Sequence, residues 1–210
     1  MLVGPKYKIC KRLGASVFEK CQTQKYQLAE ARAPHRTGRP KRGGGTDFGA
    51  QLLEKQKARF TYGLSESQFS RYVHEAMDLP AGRQGANGSS TGALMSRLEA
   101  RLDNVIFRAG FVKTRRAARQ LVSHAHVLVN GTRMSIPSHA VKVGDVISIR
   151  EGSKASPLFA NRAEAVAETK TPAWLTMSPD GFSATIASIP TVAETEAPFN
   201  PATIIQFYSR

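Results

Sequence analysis

Between Leu94 and Ala109 apolar residues recur at helical spacing: Leu94, Leu98, Leu102, Val105, Ile106 and Ala109, with Gly110 marking the end of the run. After Phe111-Val112-Lys113, Thr114 is placed to cap a second helix. Its apolar face is Ala117, Ala118, Leu121 and Val122, and its other face carries Arg115, Arg116 and Arg119. Then come Val127-Leu128-Val129, the pair Asn130-Gly131, and Thr132-Arg133-Met134. Asn-Gly between apolar runs predicts a hairpin, because a type I′ turn needs positive φ at both central residues. Val146-Ile147-Ser148-Ile149, after a turn at Gly144-Asp145, predicts a further strand. Three guanidinium groups on one helix beside a compact hairpin suit a unit that holds folded RNA.

The flanking segments follow other patterns. Residues 1–47 are basic and poor in apolar periodicity, and the run from His35 to Gly45, rich in Pro and Gly, excludes regular structure there. That run lacks the Gly-Lys-Ser/Thr ending of a phosphate-binding loop. With few apolar groups to offset ordering entropy, the whole extension is expected to be mobile until RNA orders it. Phe48 to Phe60 reads as a helix with Leu52 and Leu53 inward; Ser65 and Gln68 form a capping pair ahead of Phe69, Tyr72, Val73, Ala76 and Met77. Pro80 ends that helix and residues 80–93, rich in Gly and Ser, read as a linker. Toward the C-terminus the pattern predicts a short Ala-rich helix from Arg162 to Thr169 and a packing anchor at Trp174. A turn at Pro179-Asp180-Gly181 and a strand from Thr203 to Tyr208 complete it.

Charge sharpens this picture. The chain holds 30 Lys and Arg against 16 Asp and Glu, a formal +14. Residues 1–120 hold 23 basic and 9 acidic side chains, whereas residues 121–210 hold 7 of each. An excess so segregated favours a polyanionic partner, since each neutralised phosphate releases counterions. No strongly amphipathic basic helix with bulky anchors supports a membrane surface, no apolar run approaches spanning length, and no signal-peptide core opens the chain. Cys10 and Cys21 are expected as free thiols: structural zinc normally takes four ligands, and only His35 lies near them.

Several motifs now join. Arg101-Leu102-Asp103, Arg119-Gln120-Leu121-Val122, Val129-Asn130-Gly131 and Val143-Gly144-Asp145-Val146-Ile147 resemble the RNA-binding domain named after ribosomal protein S-four. Gly4-Pro5-Lys6, Lys11-Arg12, the stretch Gln51 to Arg59, Tyr62-Gly63, Gln68-Phe69 and Tyr72 are similar to the helical region of that ribosomal family itself, as are Trp174-Leu175 and the terminal Tyr208-Ser209-Arg210. The resemblance runs from about Gly4 to Arg210. The chain departs from it at His35-Arg36-Thr37-Gly38, where the family has a Pro-Gly-Gln-His-Gly run. Having two cysteines where many members have four, it resembles the metal-free branch, with no metal and no cofactor.

The resemblance implies an α+β fold: a mostly helical body with a basic N-terminal extension, plus a small inserted RNA-binding domain of two helices packed on a short, mainly antiparallel sheet. Boundaries are expected at 1–47 (extension), 48–92 (body, completed by 156–210, the C-terminal section packing back on it) and 93–155 (RNA-binding domain). It implies a cytoplasmic, ribosome-bound structural protein that binds 16S ribosomal RNA, nucleates assembly of the small-subunit body and shares in translational accuracy. The implied partners are 16S ribosomal RNA, small-subunit protein S-five, other small-subunit proteins and mRNA where it enters the subunit. Candidate RNA-contacting residues are Lys6, Lys8, Lys11, Arg12, Arg36, Arg39, Lys41 and Arg42 in the extension and Lys55, Lys57, Arg59 and Arg71 in the body. In the inserted domain they are Arg97, Arg101, Arg108, Lys113, Thr114, Arg115, Arg116, Arg119, His124, Asn130, Gly131 and Arg133, with His126 beside His124.

The same module occurs in pseudouridine synthases, where Arg-Leu-Asp surrounds the catalytic aspartate. Here Asp103 falls inside a predicted helix, as an exposed ion-pair partner for nearby basic groups, Arg108 among them. About sixty residues follow Ile149, too few for a catalytic domain that holds a flipped uridine. No catalytic constellation stands out elsewhere. A stand-alone RNA chaperone is the other alternative, opposed by the basic extension and the long helical segment.

Overall fold

The structure, a computed structural model, describes residues 4–32, 46–79, 89–159, 171–190 and 197–209. The chain divides into two compact units, Met1–Asp78 with Ala193–Arg210, and Leu79–Val192. Most of the expected linker (80–88), the segment from His35 to Gly45 and the Ala-rich helix from Arg162 to Thr169 lie outside the described residues.

In the first unit the chain is more regular than its sparse apolar pattern predicts. Helix α1 (Lys6–Leu13) ends at Gly14, whose φ of 63° turns the chain back. A 3-10 turn at Glu19–Cys21 and helix α2 (Gln24–Ala31) follow. Cys10, Cys21 and Tyr26 form a small buried cluster with Phe18 against it. This corrects two expectations. Residues 6–13 and 24–31 are helical, and Cys10 and Cys21 are not free thiols but are bonded to each other, their Cα atoms 6.7 Å apart. The reversal at Gly14 is the physical reason, because it carries the 3-10 turn back to α1.

Helix α3 (Asp47–Tyr62) is capped by Thr46 and closed by Gly63 at a φ of 65°. Helix α4 (Glu66–Met77) is capped by Ser65, which accepts from Gln68 N at 3.3 Å. Against α3 and α4 packs a helix at Pro201–Tyr208, where the β-branched run Thr203-Ile204-Ile205 predicts a strand. Asn200 decides otherwise: its side chain accepts from Ala202 N and Thr203 N, and Pro201 occupies the first turn with its φ already suited to a helix. Those local effects outweigh the weaker β preference.

The second unit begins with α5 (Ser90–Glu99), α6 (Leu102–Arg108) and α7 (Arg115–Ser123). The single helix expected over 94–109 is broken at Ala100-Arg101, where the chain turns to meet another segment: Val141 N donates to Ala100 O and Leu102 N to His139 O, both at 2.9 Å. Strands β1 (Val127–Val129), β2 (Thr132–Met134) and β3 (Val146–Ile149) form where the pattern places them. A short helix α8 (Glu151–Lys154) leads on from β3. Two further strands, β4 (Leu175–Met177) and β5 (Ser183–Ile186), complete an antiparallel sheet in the order β2-β1-β3-β5-β4. Leu102, Ile106, Ala118, Leu121 and Val122 from the helices pack on Val127, Ile147, Ile149, Ala184 and Ile186 from the sheet. The C-terminal section is therefore shared. Residues 175–186 extend this sheet, whereas Phe199, Asn200 and the last helix, numbered α9 (Pro201–Tyr208), pack on the body.

Candidate nucleic-acid interface

Thr114 opens α7 by accepting from Ala117 N at 2.9 Å, satisfying one of the orphan donors of the first turn. Behind the helix lies a chain of polar contacts ordered on Glu99, which is completely buried. Its carboxylate takes two hydrogen bonds from Arg108, at 2.8 and 3.1 Å, and one from Asn104 Nδ2 at 2.7 Å. Asn104 Oδ1 in turn accepts from Arg115 Nε at 2.8 Å, and the Arg115 guanidinium lies 4.3 Å from the centre of the Phe107 ring. A buried carboxylate that accepts this many hydrogen bonds fixes the positions of its donors. Arg108 and Arg115 are therefore structural anchors first. Lys113 and Arg116 are exposed, and Arg119, half-buried, shares a helix face with both Arg115 and Arg116.

Arg101 corrects an expectation more sharply. It is 2% exposed and hydrogen-bonds Asp103 at 2.7 and 3.1 Å, so it presents no charge to a ligand. Asp103 is likewise buried and paired with Arg101; it is not an exposed partner of Arg108. The cause is the break before α6, which folds Arg101 back over its own helix start. Both oxygens of the would-be nucleophile are occupied.

The hairpin turn has φ values of 50° at Asn130 and 79° at Gly131, as a type I′ turn requires. Asn130 is a brace as well as a turn residue. Its Oδ1 accepts from Val146 N at 2.8 Å, and its Nδ2 donates to Asp145 Oδ1 at 2.9 Å. The Lys142 N–H bonded to Asp145, which outweighs the opposing effect of burial, holds that carboxyl below its usual range; Asn130 assists. Arg133 is exposed on the edge strand β2. His124 is exposed and stacks on His126 with ring centres 6.0 Å apart, while His126 Nδ1 meets Ser153 Oγ at 2.9 Å. Arg97 is half-buried on α5.

In the first unit Lys8, Lys11 and Arg12 are exposed on α1, and Lys6 lies 5.7 Å from the Phe18 ring centre. Lys20, Lys25 and Arg32 are exposed as well. The charge pattern alone does not single them out from the other basic residues of this segment. Arg36, Arg39, Lys41 and Arg42 lie outside the described residues. The body cations are mostly spent internally. Lys55, only 7% exposed, donates to Glu66 at 2.7 Å and lies 4.5 Å from the Phe207 ring centre. Lys57 pairs with Glu54 at 2.6 Å, Arg59 with Glu66 at 3.3 Å, and the exposed Arg71 approaches Glu75 to 4.0 Å. Lys55 is thus a correction too: it faces the C-terminal helix, not solvent.

Burial pushes Glu66 up, but the hydrogen bonds from Lys55 and Tyr208 and the Lys55 and Arg59 charges prevail and hold its carboxyl below the usual range. Burial, followed by the bond to Glu66, pushes the Tyr208 phenol up, so it remains a donor at 2.9 Å. Among the described residues no group of three or more His, Cys, Asp and Glu could hold a metal, and no helix is long and apolar enough to cross a membrane.

Comparison with known proteins agrees with this arrangement. The family described as "Ribosomal protein S4/S9 N-terminal domain" matches residues 1–98, and the "S4 domain" matches residues 100–147. The chain is 40% identical to small ribosomal subunit protein uS4 of Roseiflexus castenholzii, 39% to that of Limosilactobacillus reuteri and 41% to that of Delftia acidovorans. Each match covers 99% of this chain and 98% of the relative. With both family segments present in order and near-complete coverage on either side, the chain belongs to the uS4 family of small ribosomal subunit proteins.

Proposed function

We propose that the protein is a structural constituent of the small ribosomal subunit that binds 16S ribosomal RNA directly and nucleates assembly of the subunit body. One observation carries the reading. The Glu99–Asn104–Arg115 network immobilises α7 from behind, while Arg116 on the helix and Lys113 just before its cap remain exposed. Cations on a pre-ordered helix lose little entropy on meeting phosphates, and each contact releases counterions. The exposed cations of α1 supply a second basic surface. Two tethered surfaces raise each other's effective concentration and grip a folded RNA by its shape, with no need to read its bases.

On this reading the protein works in the cytoplasm as part of the ribosome, with small-subunit protein S-five and other subunit proteins as neighbours and mRNA passing nearby. It contributes to translational accuracy by holding RNA and protein neighbours in register, and it carries out no reaction of its own. The test is co-sedimentation of the native protein with small subunits after a high-salt wash. Retention with the subunit is expected; release of all the protein into the supernatant contradicts the proposal.

A further inference from the structure

Helices α1 and α2 close on Tyr26, which is only 4% exposed and belongs to the same small cluster as the Cys10–Cys21 bond. Tyr7, on α1, lays its ring on Tyr26 with centroids 5.2 Å apart and planes 11° from parallel. Tyr26 thus covers one face of Tyr7, yet Tyr7 keeps 44% of its surface in solvent. A tyrosine held flat by a buried, nearly parallel partner is pre-organised, so little conformational freedom remains to be lost when something stacks on it.

The surroundings narrow what that something is. Lys11 lies one turn on from Tyr7 along the same helix face, Lys8 adjoins it, and Lys25 precedes Tyr26 on α2; all three lysines are exposed. An apolar protein partner has no use for such a rim of cations. A nucleotide has use for both parts, since its base stacks on an aromatic face and its phosphates meet flanking lysines. Only an unpaired base exposes a face, because paired bases in an RNA helix are stacked on their neighbours.

We infer that Tyr7 is a stacking platform for one unpaired nucleobase, with Lys8, Lys11 and Lys25 on the adjoining phosphates. The inference rests on the reading of this protein as an RNA binder and adds a base-directed contact to it. The platform gives the N-terminal surface a preference for a splayed-out base that lysines alone would lack.

Filter binding of the full-length protein to naked 16S ribosomal RNA over a range of salt tests it. Tyr7→Leu keeps an apolar side chain but removes the aromatic face; it is expected to weaken binding by about tenfold with the salt slope unchanged. Tyr7→Phe keeps the ring and stays within about twofold of wild type. Ultraviolet cross-linking of the wild-type complex, read by mass spectrometry, is expected to give a nucleotide adduct on Tyr7. Wild-type affinity in Tyr7→Leu overturns the platform, as does a wild-type complex with no adduct on Tyr7. Should Tyr7→Leu fail to fold in a thermal melt, the cross-link and the affinity of Tyr7→Trp decide, with retained affinity and an adduct expected. A wild-type protein that does not bind the RNA at all removes the underlying reading, whereas binding indifferent to Tyr7 removes the platform alone.

Discussion

Arg101 Nε reaches Asp103 Oδ1 at 3.1 Å and its Nη2 reaches Oδ2 at 2.7 Å, a two-pronged pair buried where α5 gives way to α6. The same turn is fixed by backbone bonds, with Leu102 N donating to His139 O and Asp103 N to Pro137 O. Removing one charge strands the other out of water, at a cost of about 3–5 kcal/mol. Asp103→Ala is expected to lower unfolding stability by that amount in urea titrations. Arg101→Met combined with Asp103→Leu should recover most of it and bind RNA like wild type. A double variant that folds but loses its RNA affinity would show that the pair also serves binding.

Neighbouring arginines on α7 should separate cleanly. Arg115 bonds Asn104 and lies over Phe107, so Arg115→Gln is expected to cost about 1–3 kcal/mol of stability. Arg116 is exposed, and Arg116→Gln should leave stability within about 0.5 kcal/mol. It should instead weaken RNA binding and reduce the salt slope by roughly 0.7–0.9. Paired denaturation and salt-titration experiments check both halves.

The elements carrying strong local signals were legible from the amino-acid order: Thr114 and Ser65 as caps, Asn130-Gly131 as a turn, and β1 to β3. What stayed hidden depends on contacts distant in sequence. Glu99 and Arg108 meet nine positions apart only because α5 and α6 are broken at Ala100-Arg101. Strand β5 is short and contains Ser183, Ala184 and Thr185, and it becomes a strand by pairing with β3. Among the candidate cations, composition could not distinguish Lys55, which folds toward Phe207 and Glu66, from Lys113, which does not. The helices of residues 6–13 and 24–31 leave no periodic trace in the sequence, because the buried cluster they share is only Cys10, Cys21 and Tyr26 with Phe18 against it.

Asn130 ties the hairpin to the approach of β3 through Val146 N and Asp145, and Gly131 holds a φ of 79°. Gly131→Ala is expected to cost about 1–2 kcal/mol for the left-handed backbone alone. Asn130→Ala should cost about 0.5–1.5 kcal/mol, the net worth of its exposed hydrogen bond from the Val146 N–H. Thermal or urea unfolding measures both. Equal stability in Asn130→Ala would mean that the brace contributes nothing.

The Lys55–Glu66–Tyr208 contacts make a pH-dependent clasp for the C-terminal helix. Burial raises Glu66, but the Lys55 and Tyr208 hydrogen bonds and the neighbouring charges bring it below the usual carboxylate range. Folded protein therefore binds this proton less readily than unfolded chain. The stabilisation is present above that range and is lost as pH falls through the lowered value. The melting-temperature difference between wild type and Glu66→Gln should be visible near neutral pH and vanish in acid. A difference that persists in acid would assign the effect to packing.

Whether the two basic surfaces recognise 16S ribosomal RNA is decided by affinity for that naked RNA, compared with an unrelated structured RNA of equal length at matched salt. A marked preference for 16S ribosomal RNA is expected, with a steep salt dependence that flattens when Lys113 and Arg116 are both changed to Gln. Equal affinity for the two RNAs, or a salt slope indifferent to those two residues, would contradict it.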